Sequence, residues 1–574
     1  MKETATGQPK TRFYHRCLLH GTPLLFCRQN THHDRYECIF TRCRQWLDAC
    51  LAGHPGRGSP ASVCGTALGS AQFHSTCPSR LIDVGVTGEA PRLVKFDSLD
   101  QVQEVSTPAR YAGYVTLSYC WGPKSDYGHL LRQENEAQFH RALPPLPKTI
   151  QDVVEVCRRI GVRFLWVDAI CIIQGGPGGA STDWELESAR VGSYYANALF
   201  TIAAASAGGS DEGCLPDRAY SYHGQLISHI SLRHISYLGN ESPSRNAAFY
   251  QWSTVTSEKG NVLRRRGWTT QELSLAPRIL WLGPSGAVWS CRTEDRGYWG
   301  ATPYRSDVGK FHARMKNNWN QLLVSYSTTA LSFPEDRLPA LSGICKFLDP
   351  DASDQYLAGI WLSSLSDGLF WLVNNMVSPR ADVTRYKDMS LPSWSPLATG
   401  QIITYQTSWP QIQPGVCIAS APCLTCGPGR LGLEKSSVNL RYGDIHGRIV
   451  SAWLEIRAKV YVAVFSLHGM VRGSSDQLWL ENSMVLYGGL YLDEPKSLQN
   501  DPKPSEPAKE FYSVLLSHDG DDKFCHLKFL LLELAAKPNS YRRVGAFMSK
   551  PVYPTSPEAQ FFQKAQVLSE ILLV

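Results

Sequence analysis

The chain has 574 residues, which is more than one hydrophobic core normally serves, so two or three domains are expected. Its content of 43% hydrophobic and 11% aromatic residues is typical of a folded globular protein and excludes a mainly disordered chain. The net charge of +6 is spread along the sequence, and short clusters such as Arg264 to Arg266 do not make the basic face of a nucleic-acid-binding protein, so we expect no nucleic-acid partner.

Residues 1–79 form a segment rich in cysteine and histidine that ends in a linker of glycine, serine and alanine. The segment lacks the apolar core of a signal peptide, and no stretch of the chain approaches the roughly 20 apolar residues that a membrane helix requires. We therefore expect a cytoplasmic protein with no membrane span. In that reducing compartment the 17 cysteines are expected to be buried thiols or metal ligands and not a disulfide framework.

Two pairs of residues in this segment have spacings that suit zinc. Zinc sites usually combine two close ligand pairs, and Cys17 with His20 or Cys50 with His54 could each supply one. The other spacings are irregular, and "RQWLDACLAGH" at 44–54 has the pattern of an amphipathic helix in which Cys50 belongs to the core. We therefore expect no metal site, with a zinc-stabilised N-terminal segment as the alternative.

From residue 80 onward, strands and helices alternate. The predicted elements are strands at 81–85, 92–99 and 114–122, a helix over 146–162, a strand over 163–173, a helix over 183–198, and strands over 199–207 and 278–291. The order strand, helix, strand is the βαβ signature, so residues 80–300 are predicted to be an α/β domain with a parallel sheet. The polar, Gly/Ser-rich stretch at 208–262 is predicted to be an insertion or long loop.

Two further regions follow the α/β domain. Apolar spacing predicts helices over 312–327, 331–348 and 356–373, so residues 301–390 are expected to be a helical region. Runs such as "SAWLEIRAKVYVAVFSLH" predict that residues 391–574 are mostly β.

Several polar and aromatic side chains fall where predicted strands end. They are Ser118, Tyr119, Trp121 and Gly122 after one strand, Asp168 toward the end of another, and Trp268 with Glu272 at the start of a helix. Parallel α/β sheets bind ligands at these ends, so the placement suits a small-molecule crevice. Each residue also has a structural interpretation, since aromatic rings pack in cores, Asp168 can cap a turn and Glu272 can complement a helix dipole.

Four segments, taken in chain order, resemble the successive blocks of the fungal heterokaryon incompatibility (HET) domain over roughly residues 110–295. They are "YVTLSYCWG", "LPKTIQDVVEVCRRIGVRFLWVDAICIIQ", "DWELESARVGSYYANALFTIAAASA" and "RRGWTTQELSLAPRILWL". The flanking "WLDACLAGH", "LSFPEDRLPALSGI" and "PSWSPLATG" are similar to the flanks of long HET proteins. The resemblance implies a fungal protein of allorecognition and programmed cell death that forms homo-oligomers on activation and engages other incompatibility or signalling proteins.

HET domains are in turn remotely similar to TIR domains, which implies a TIR-like, flavodoxin-like parallel sheet. TIR domains begin with a strand ending in Ser-Tyr or Ser-Phe, as "LSY" does at 117–119, and many carry an aspartate in the second strand, as "WVD" does at 166–168. Their catalytic block reads Ser-x-Trp-Cys-x-x-Glu-Leu. Here "RGWTTQEL" keeps the tryptophan, glutamate and leucine, with Arg266 and Thr269 in place of the serine and cysteine.

The resemblance therefore implies that Glu272 is the glutamate with which enzymatic TIR domains cleave NAD. That reaction releases neutral nicotinamide and builds positive charge on the ribose, so a fixed carboxylate helps and no strong acid is needed. The expected catalytic residues are Glu272, Trp268 and Asp168, and the expected nucleotide-binding residues are Ser118, Tyr119, Trp121, Gly122 and Arg266. NAD is the expected substrate and no separate cofactor is required. The alternative is a non-enzymatic signalling module that oligomerises and recruits partners.

Overall fold

The computed structural model of the chain describes most residues beyond position 36. The described residues are 37–54, 64, 75–106, 109–123, 128–175, 182–215, 261–283, 286–292, 295–297, 300–301, 319–373, 391–405, 432–441, 444–458, 460–466, 476–480, 484–493, 511–520, 525–553, 555–558, 561 and 569–574. The candidate ligands Cys17 and His20 lie outside them, as do residues 216–260 of the predicted long loop.

The N-terminal half of the described chain is a mixed α/β structure around one sheet. Its strands are β1 (Arg80–Asp83), β2 (Arg92–Lys95), β3 (Tyr111–Ser118), β4 (Val162–Trp166), β5 (Phe200–Ala204), β6 (Arg278–Gly283), β7 (Gly286–Cys291), β8 (Asp295–Gly297) and β9 (Gly300–Ala301). Its helices are α1 (Glu37–Leu51), α2 (Leu99–Val105), α3 (Glu136–Phe139), α4 (Lys148–Ile160), α5 (Asp168–Cys171), α6 (Thr182–Ser188), α7 (Val191–Asn197) and α8 (Thr269–Leu275). A short 3-10 helix (Val262–Arg265) precedes α8.

The strand order β2-β1-β4-β3-β5-β6-β7-β8-β9 places four parallel strands at the centre and antiparallel strands at both edges. The chain moves from β3 outward to β4 and then returns past β3 to β5. The connections that follow β3 and β5 therefore diverge at the carboxyl ends of neighbouring strands, which is the switch point where doubly wound sheets bind ligands. The predicted α/β region with parallel strands is confirmed.

Helix α4 shows why the pattern-based prediction worked. Pro147 occupies the N-cap position, and Gly161 ends the helix in the left-handed conformation with φ of 98°. Between them the apolar side chains recur at helical spacing and are buried, including Ile150, Val153 and Cys157. Proline at a helix start and glycine at its end follow from the fixed φ of the first and the free φ of the second.

Three predicted elements of this half were wrong in extent. The strand predicted over 163–173 ends at Trp166, because α5 begins at Asp168, whose carboxylate accepts the Ala169 N–H at 2.7 Å. The helix predicted over 183–198 is divided into α6 and α7. The strand predicted over 278–291 is a hairpin formed by β6 and β7.

The C-terminal half combines short helices and strands with a second sheet. The helices are α9 (Trp319–Ser327), α10 (Pro339–Leu348) and α11 (Leu365–Leu369), and the strand pairs are β10 (Tyr356–Leu357) with β11 (Ile360–Trp361), and β12 (Leu372–Val373) with β13 (Ile403–Thr404). The helix predicted over 356–373 was wrong except for the short α11, because Ala358 and Gly359 have φ of 45° and 104°. Two consecutive positive φ values make the tight turn of a β-hairpin.

The second sheet confirms the predicted β-rich C-terminal region. Its strands are β14 (Gly432–Leu440), β15 (Ile449–Ala458), β16 (Val460–Ser466), β17 (Asp476–Leu480), β18 (Met484–Leu492), β19 (Phe511–Gly520), β20 (Cys525–Leu534), β21 (Ser540–Ser549) and β22 (Ser569–Leu573). Their order is β14-β15-β22-β21-β18-β17-β16-β19-β20, and an additional pairing of β20 with β21 closes six of them into a ring.

Helix α10 joins the two halves by packing against α7 and α8. A Cβ atom added to Gly192 of α7 would lie 2.6 Å from the Cα of Gly343 of α10, so the two helices touch through their backbones. The Gln271 side chain of α8 accepts the Gly343 N–H at 3.2 Å. The helix that carries Glu272 is therefore held from the side of the C-terminal half. Within the described ranges, no helix has both the length and the apolar character needed to cross a membrane.

Candidate functional site

Glu272 lies in the first turn of α8 and points toward the carboxyl end of β3. The Ser118 hydroxyl, at the last residue of β3, donates to Glu272 Oε2 at 2.6 Å. The side chain of Tyr114 lies on the same face of β3, because side chains two residues apart share a face, and it donates to the Tyr194 carbonyl of α7 at 2.7 Å. Helices α7 and α8 thus cover this face of the strand, and Glu272 is only 9% exposed.

Burial changes the acidity of this carboxyl group. Removal from water raises the pKa of Glu272 from its ordinary 4.5 to about 7, although the positive charge of Arg266 and the hydrogen bond from Ser118 both oppose the rise. The Tyr195 hydroxyl donates to the Leu117 carbonyl at 2.8 Å and also interacts with Glu272. The group therefore changes its charge near neutral pH.

Arg266 supplies the positive charge of the site. Its guanidinium donates to the backbone carbonyl of Tyr119 and interacts electrostatically with both Glu272 and Asp168. Among the described residues it forms no ion pair with either carboxylate, and both act on it through their charge alone. The Glu272 carboxylate is therefore bonded to Ser118, with the guanidinium of Arg266 close by.

Asp168 holds Trp121 at the end of the same sheet. The Trp121 indole N–H donates to Asp168 Oδ2 at 3.0 Å, and the Ala169 N–H donates to Oδ1 at 2.7 Å. Burial raises the pKa of Asp168, while Arg266 and these two donors oppose that effect. Trp121 is half-buried, and its indole N–H is fixed by Asp168.

The loops after β3 and β5 touch at Gly122. This residue has φ of +90°, and a Cβ atom there would lie 3.0 Å from the Cα of Gly209. The Ser210 N–H donates to the Trp121 carbonyl at 3.2 Å across the same contact. Gly122 is therefore required for both its conformation and the close approach of the two loops.

The side chains of Tyr119 and Trp268 lie apart from the other candidate site residues. The ring of Tyr119 is buried in the hydrophobic core, so its contribution to the site is the carbonyl that accepts from Arg266. The Trp268 indole donates to Asp336 at 3.2 Å and packs edge-to-face on Trp184 at 6.1 Å. Trp268 thus faces the C-terminal half and is not gathered with the two carboxylates.

Three residues that contact the candidate site residues directly or through one neighbour, Asp336, Arg448 and Tyr195, were not identified from the sequence. Asp336 also binds Arg448, whose guanidinium lies 5.2 Å from the ring centre of Trp184. Nothing in the local pattern of either residue signals this pairing, because they are far apart in the chain. Tyr195 is part of the quoted segment "DWELESARVGSYYANALFTIAAASA", but the small residues around it indicate only a buried helix face.

The comparison with protein families agrees with this geometry. Residues 114–272 match the family described as Heterokaryon incompatibility protein (HET), a span that begins on β3 and ends at Glu272. Every candidate site residue lies within it. No curated protein and no solved structure gives a significant match to the chain. Residues 114–272 therefore constitute a HET domain, the domain of heterokaryon incompatibility proteins.

Proposed function

We propose that this HET domain acts in heterokaryon incompatibility by cleaving NAD, with Glu272 as the central carboxylate. The observation that carries the proposal is the 2.6 Å hydrogen bond between Ser118 and Glu272 at the carboxyl end of β3. This is the switch point of the sheet, and the order of its parallel strands is that of flavodoxin-like folds. The order supports the TIR resemblance from which the reaction is taken.

The reaction breaks the bond between C1′ of the ribose and the nicotinamide nitrogen. The bonding electron pair leaves with nicotinamide, which becomes neutral, and positive charge develops on the ribose. A water molecule then adds at C1′ and loses a proton, giving ADP-ribose, while addition of a group of the same nucleotide would give a cyclic product. The ionised Glu272 carboxylate stabilises the developing charge, and its burial strengthens that interaction.

The raised pKa of Glu272 suits this role. In the free protein a carboxyl group with a pKa of about 7 is partly protonated at neutral pH. NAD carries a positive charge on its nicotinamide ring, and a cation beside the carboxyl favours the ionised form. Substrate binding would therefore generate the carboxylate that the reaction uses.

Three neighbours support binding of a nucleotide. The half-buried ring of Trp121, fixed by Asp168, offers a surface on which nicotinamide or adenine can stack. The absence of a side chain at Gly122 lets backbone and ligand approach closely. Arg266 provides positive charge for the diphosphate, and Ser118 can reorient its hydroxyl from Glu272 to the ribose.

The experiment is to incubate the full-length protein with NAD, over a range of protein concentrations that allows assembly, and to measure nicotinamide by liquid chromatography. Glu272→Gln keeps the size of the side chain and removes its charge. Glu187→Gln is the matched control, because Glu187 is also buried but bonds to Ser79 and Tyr194. We expect release by the wild type and the control and a loss of at least about 100-fold in Glu272→Gln. Equal release by all three proteins would remove Glu272 from the mechanism.

A second candidate is a signalling module that oligomerises and recruits partners without catalysis. The observation that favours it is the attachment of α8 to the C-terminal half through Trp268 with Asp336 and Gln271 with Gly343. In that function Glu272 is a structural group beneath a helix that transmits assembly. Light scattering and partner capture would then be unchanged in Glu272→Gln and altered in Trp268→Phe, with no nicotinamide released by the wild type.

A further inference from the structure

Four buried side chains gather where the N-terminal helix meets the sheet. They are Cys50 and His54 at the end of α1, Cys64, and Cys291 at the end of β7, and their sulfur and nitrogen atoms all lie within 4.8 Å of one another. We propose that these four residues bind one structural Zn²⁺ ion, as a Cys3His site that fastens the N-terminal segment to the HET-domain sheet. This departs from the expectation of no metal, and it is independent of the proposed NAD reaction.

The distances suit tetrahedral zinc. With Zn–S of about 2.3 Å and Zn–N of about 2.0 Å, a tetrahedron places two sulfurs roughly 3.8 Å apart and a sulfur and a nitrogen roughly 3.5 Å apart. The separation of Cys291 Sγ from His54 Nε2 is 3.5 Å. The remaining separations, all below 4.8 Å, need only small side-chain adjustments to reach that geometry.

The local backbone brings the two ligands of α1 together. The His54 N–H donates to the Ala49 carbonyl and the Gly53 N–H donates to the Cys50 carbonyl, which is the hydrogen-bond pattern of a Schellman turn. Gly53 has φ of 77°, and His54 itself has φ of 55°, a conformation that a residue with a side chain seldom adopts. The turn reverses the chain so that the imidazole faces the Cys50 thiol, and a bond to a metal would stabilise it there.

The charges around the cluster give an independent argument. Arg278 is 7% exposed, and its guanidinium donates to Cys50 Sγ at 3.1 Å and to the Cys64 and Leu199 carbonyls. In the described part of the chain no carboxylate pairs with it. Arg292 also lies within electrostatic reach of Arg278 and of the three cysteines.

The guanidinium of Arg278 therefore lies against the cysteine cluster, and no carboxylate of the described residues accompanies it. A buried cation is costly unless an anion accompanies it. Zn²⁺ with three thiolates and a neutral imidazole has a net charge of −1, so the metal-bound cluster supplies that anion. The N–H···S bond from Arg278 is then the outer-shell contact that orients a ligand in metal sites.

The donor set also selects the metal and its role. Sulfur and imidazole ligands in a tetrahedral arrangement suit Zn²⁺, and they disfavour Mg²⁺ and Ca²⁺, which prefer oxygen. All four ligands come from the protein and all four are buried, so no position is open to a substrate. The site is therefore structural, and it links α1 to the sheet through Cys50 and Cys291.

The test is metal analysis of the full-length protein, purified under reducing conditions without chelators. We expect one zinc per chain in the wild type and in Cys43→Ala, since Cys43 is buried on the same helix outside the cluster. Cys291→Ala should lose that zinc. Loss of zinc in this variant assigns the metal to the proposed site and not to cysteines outside the described residues, because Cys291 lies in the sheet.

Cobalt provides a measurement that does not depend on a variant folding. Replacement of the native ion by Co²⁺ should give the strong visible absorption and the thiolate-to-cobalt band of tetrahedral sulfur coordination. Three outcomes would overturn the proposal: folded wild-type protein without metal, zinc retained in Cys291→Ala, or a disulfide between two of the three cysteines. An octahedral, weakly absorbing cobalt spectrum would also overturn it.

Discussion

The raised pKa of Glu272 makes a prediction about stability that does not require any catalytic activity. In the folded protein this carboxyl group holds its proton up to a pH of about 7, whereas its ordinary pKa, taken for the unfolded chain, is 4.5. Between these two values the folded state binds more protons than the unfolded state. The contribution of Glu272 to stability is therefore greatest at acidic pH, and it falls as the pH rises through this window.

The magnitude follows from the two pKa values. Each pKa unit corresponds to about 1.4 kcal/mol, so a rise from 4.5 to about 7 corresponds to roughly 3 kcal/mol. Glu272→Gln replaces the carboxyl with a neutral group of similar size. We expect the variant and the wild type to differ little at pH 4.5, and the variant to be more stable by up to about 3 kcal/mol at pH 8.

The assay must report on the HET domain and not on the whole chain. Hydrogen exchange of peptides from β3 and α8, measured in increasing urea at pH 5 and pH 8, gives the local free energy of unfolding. Asp83→Asn is a suitable control. Burial alone would raise the pKa of Asp83, but Arg163, the Gly85 N–H and Arg92 together lower it below 3.8. Asp83 is therefore ionised at both pH values, and the effect of its substitution should be the same at both.

A Glu272→Gln variant whose stability, relative to the wild type, is the same at pH 5 and pH 8 would contradict this prediction. Such a result would mean that Glu272 is ionised throughout this range in the folded protein. The electrostatic description of the site, in which burial outweighs the charge of Arg266, would then be wrong.

Three other predictions concern the site. The kcat/KM for NAD cleavage should rise with pH through about 7 and then level off, as Glu272 ionises, and a flat profile between pH 6 and 8 would contradict this. Trp121→Phe keeps a ring but removes the donor to Asp168, so kcat/KM should fall roughly tenfold, whereas an unchanged value would show that the bond does not orient the ring. Gly122→Ala should destabilise the domain by about 1–2 kcal/mol because φ at this position is +90°, and the close contact with Gly209 should add to the loss. Thermal unfolding measures the total loss of stability, and an unchanged melting temperature would contradict this prediction.

The sequence predicted the parallel centre of the sheet and the position of Ser118 at the end of a strand. Both depend on order along the chain, since consecutive βαβ units place the ends of their parallel strands at one edge of a sheet. It also predicted that Asp168 lies near this edge, although the strand was drawn too long. Apolar runs do not reveal where a strand ends when the following helix is equally apolar, as "DAIC" is here.

The remaining features depend on contacts between distant parts of the chain. Trp268 lies 68 residues from Asp336, and His54 lies 237 residues from Cys291, so neither pair produces a local spacing that a motif search can use. Cys291, the one residue of the proposed zinc site outside residues 1–79, therefore leaves no signal in the spacing of that segment. The hairpin at Ala358 was missed for another reason, because an alanine with positive φ is rare and "YLAGIW" has apolar spacing that also fits a helix.

The role of Glu272 is best measured by nicotinamide release from NAD by the full-length protein, compared among the wild type, Glu272→Asp and Glu272→Gln. We expect release by the wild type, a smaller rate when the carboxylate is withdrawn by one methylene in Glu272→Asp, and a loss of at least about 100-fold in Glu272→Gln. Equal release by all three folded proteins, or none by the assembled wild type, would contradict the claim that Glu272 cleaves NAD.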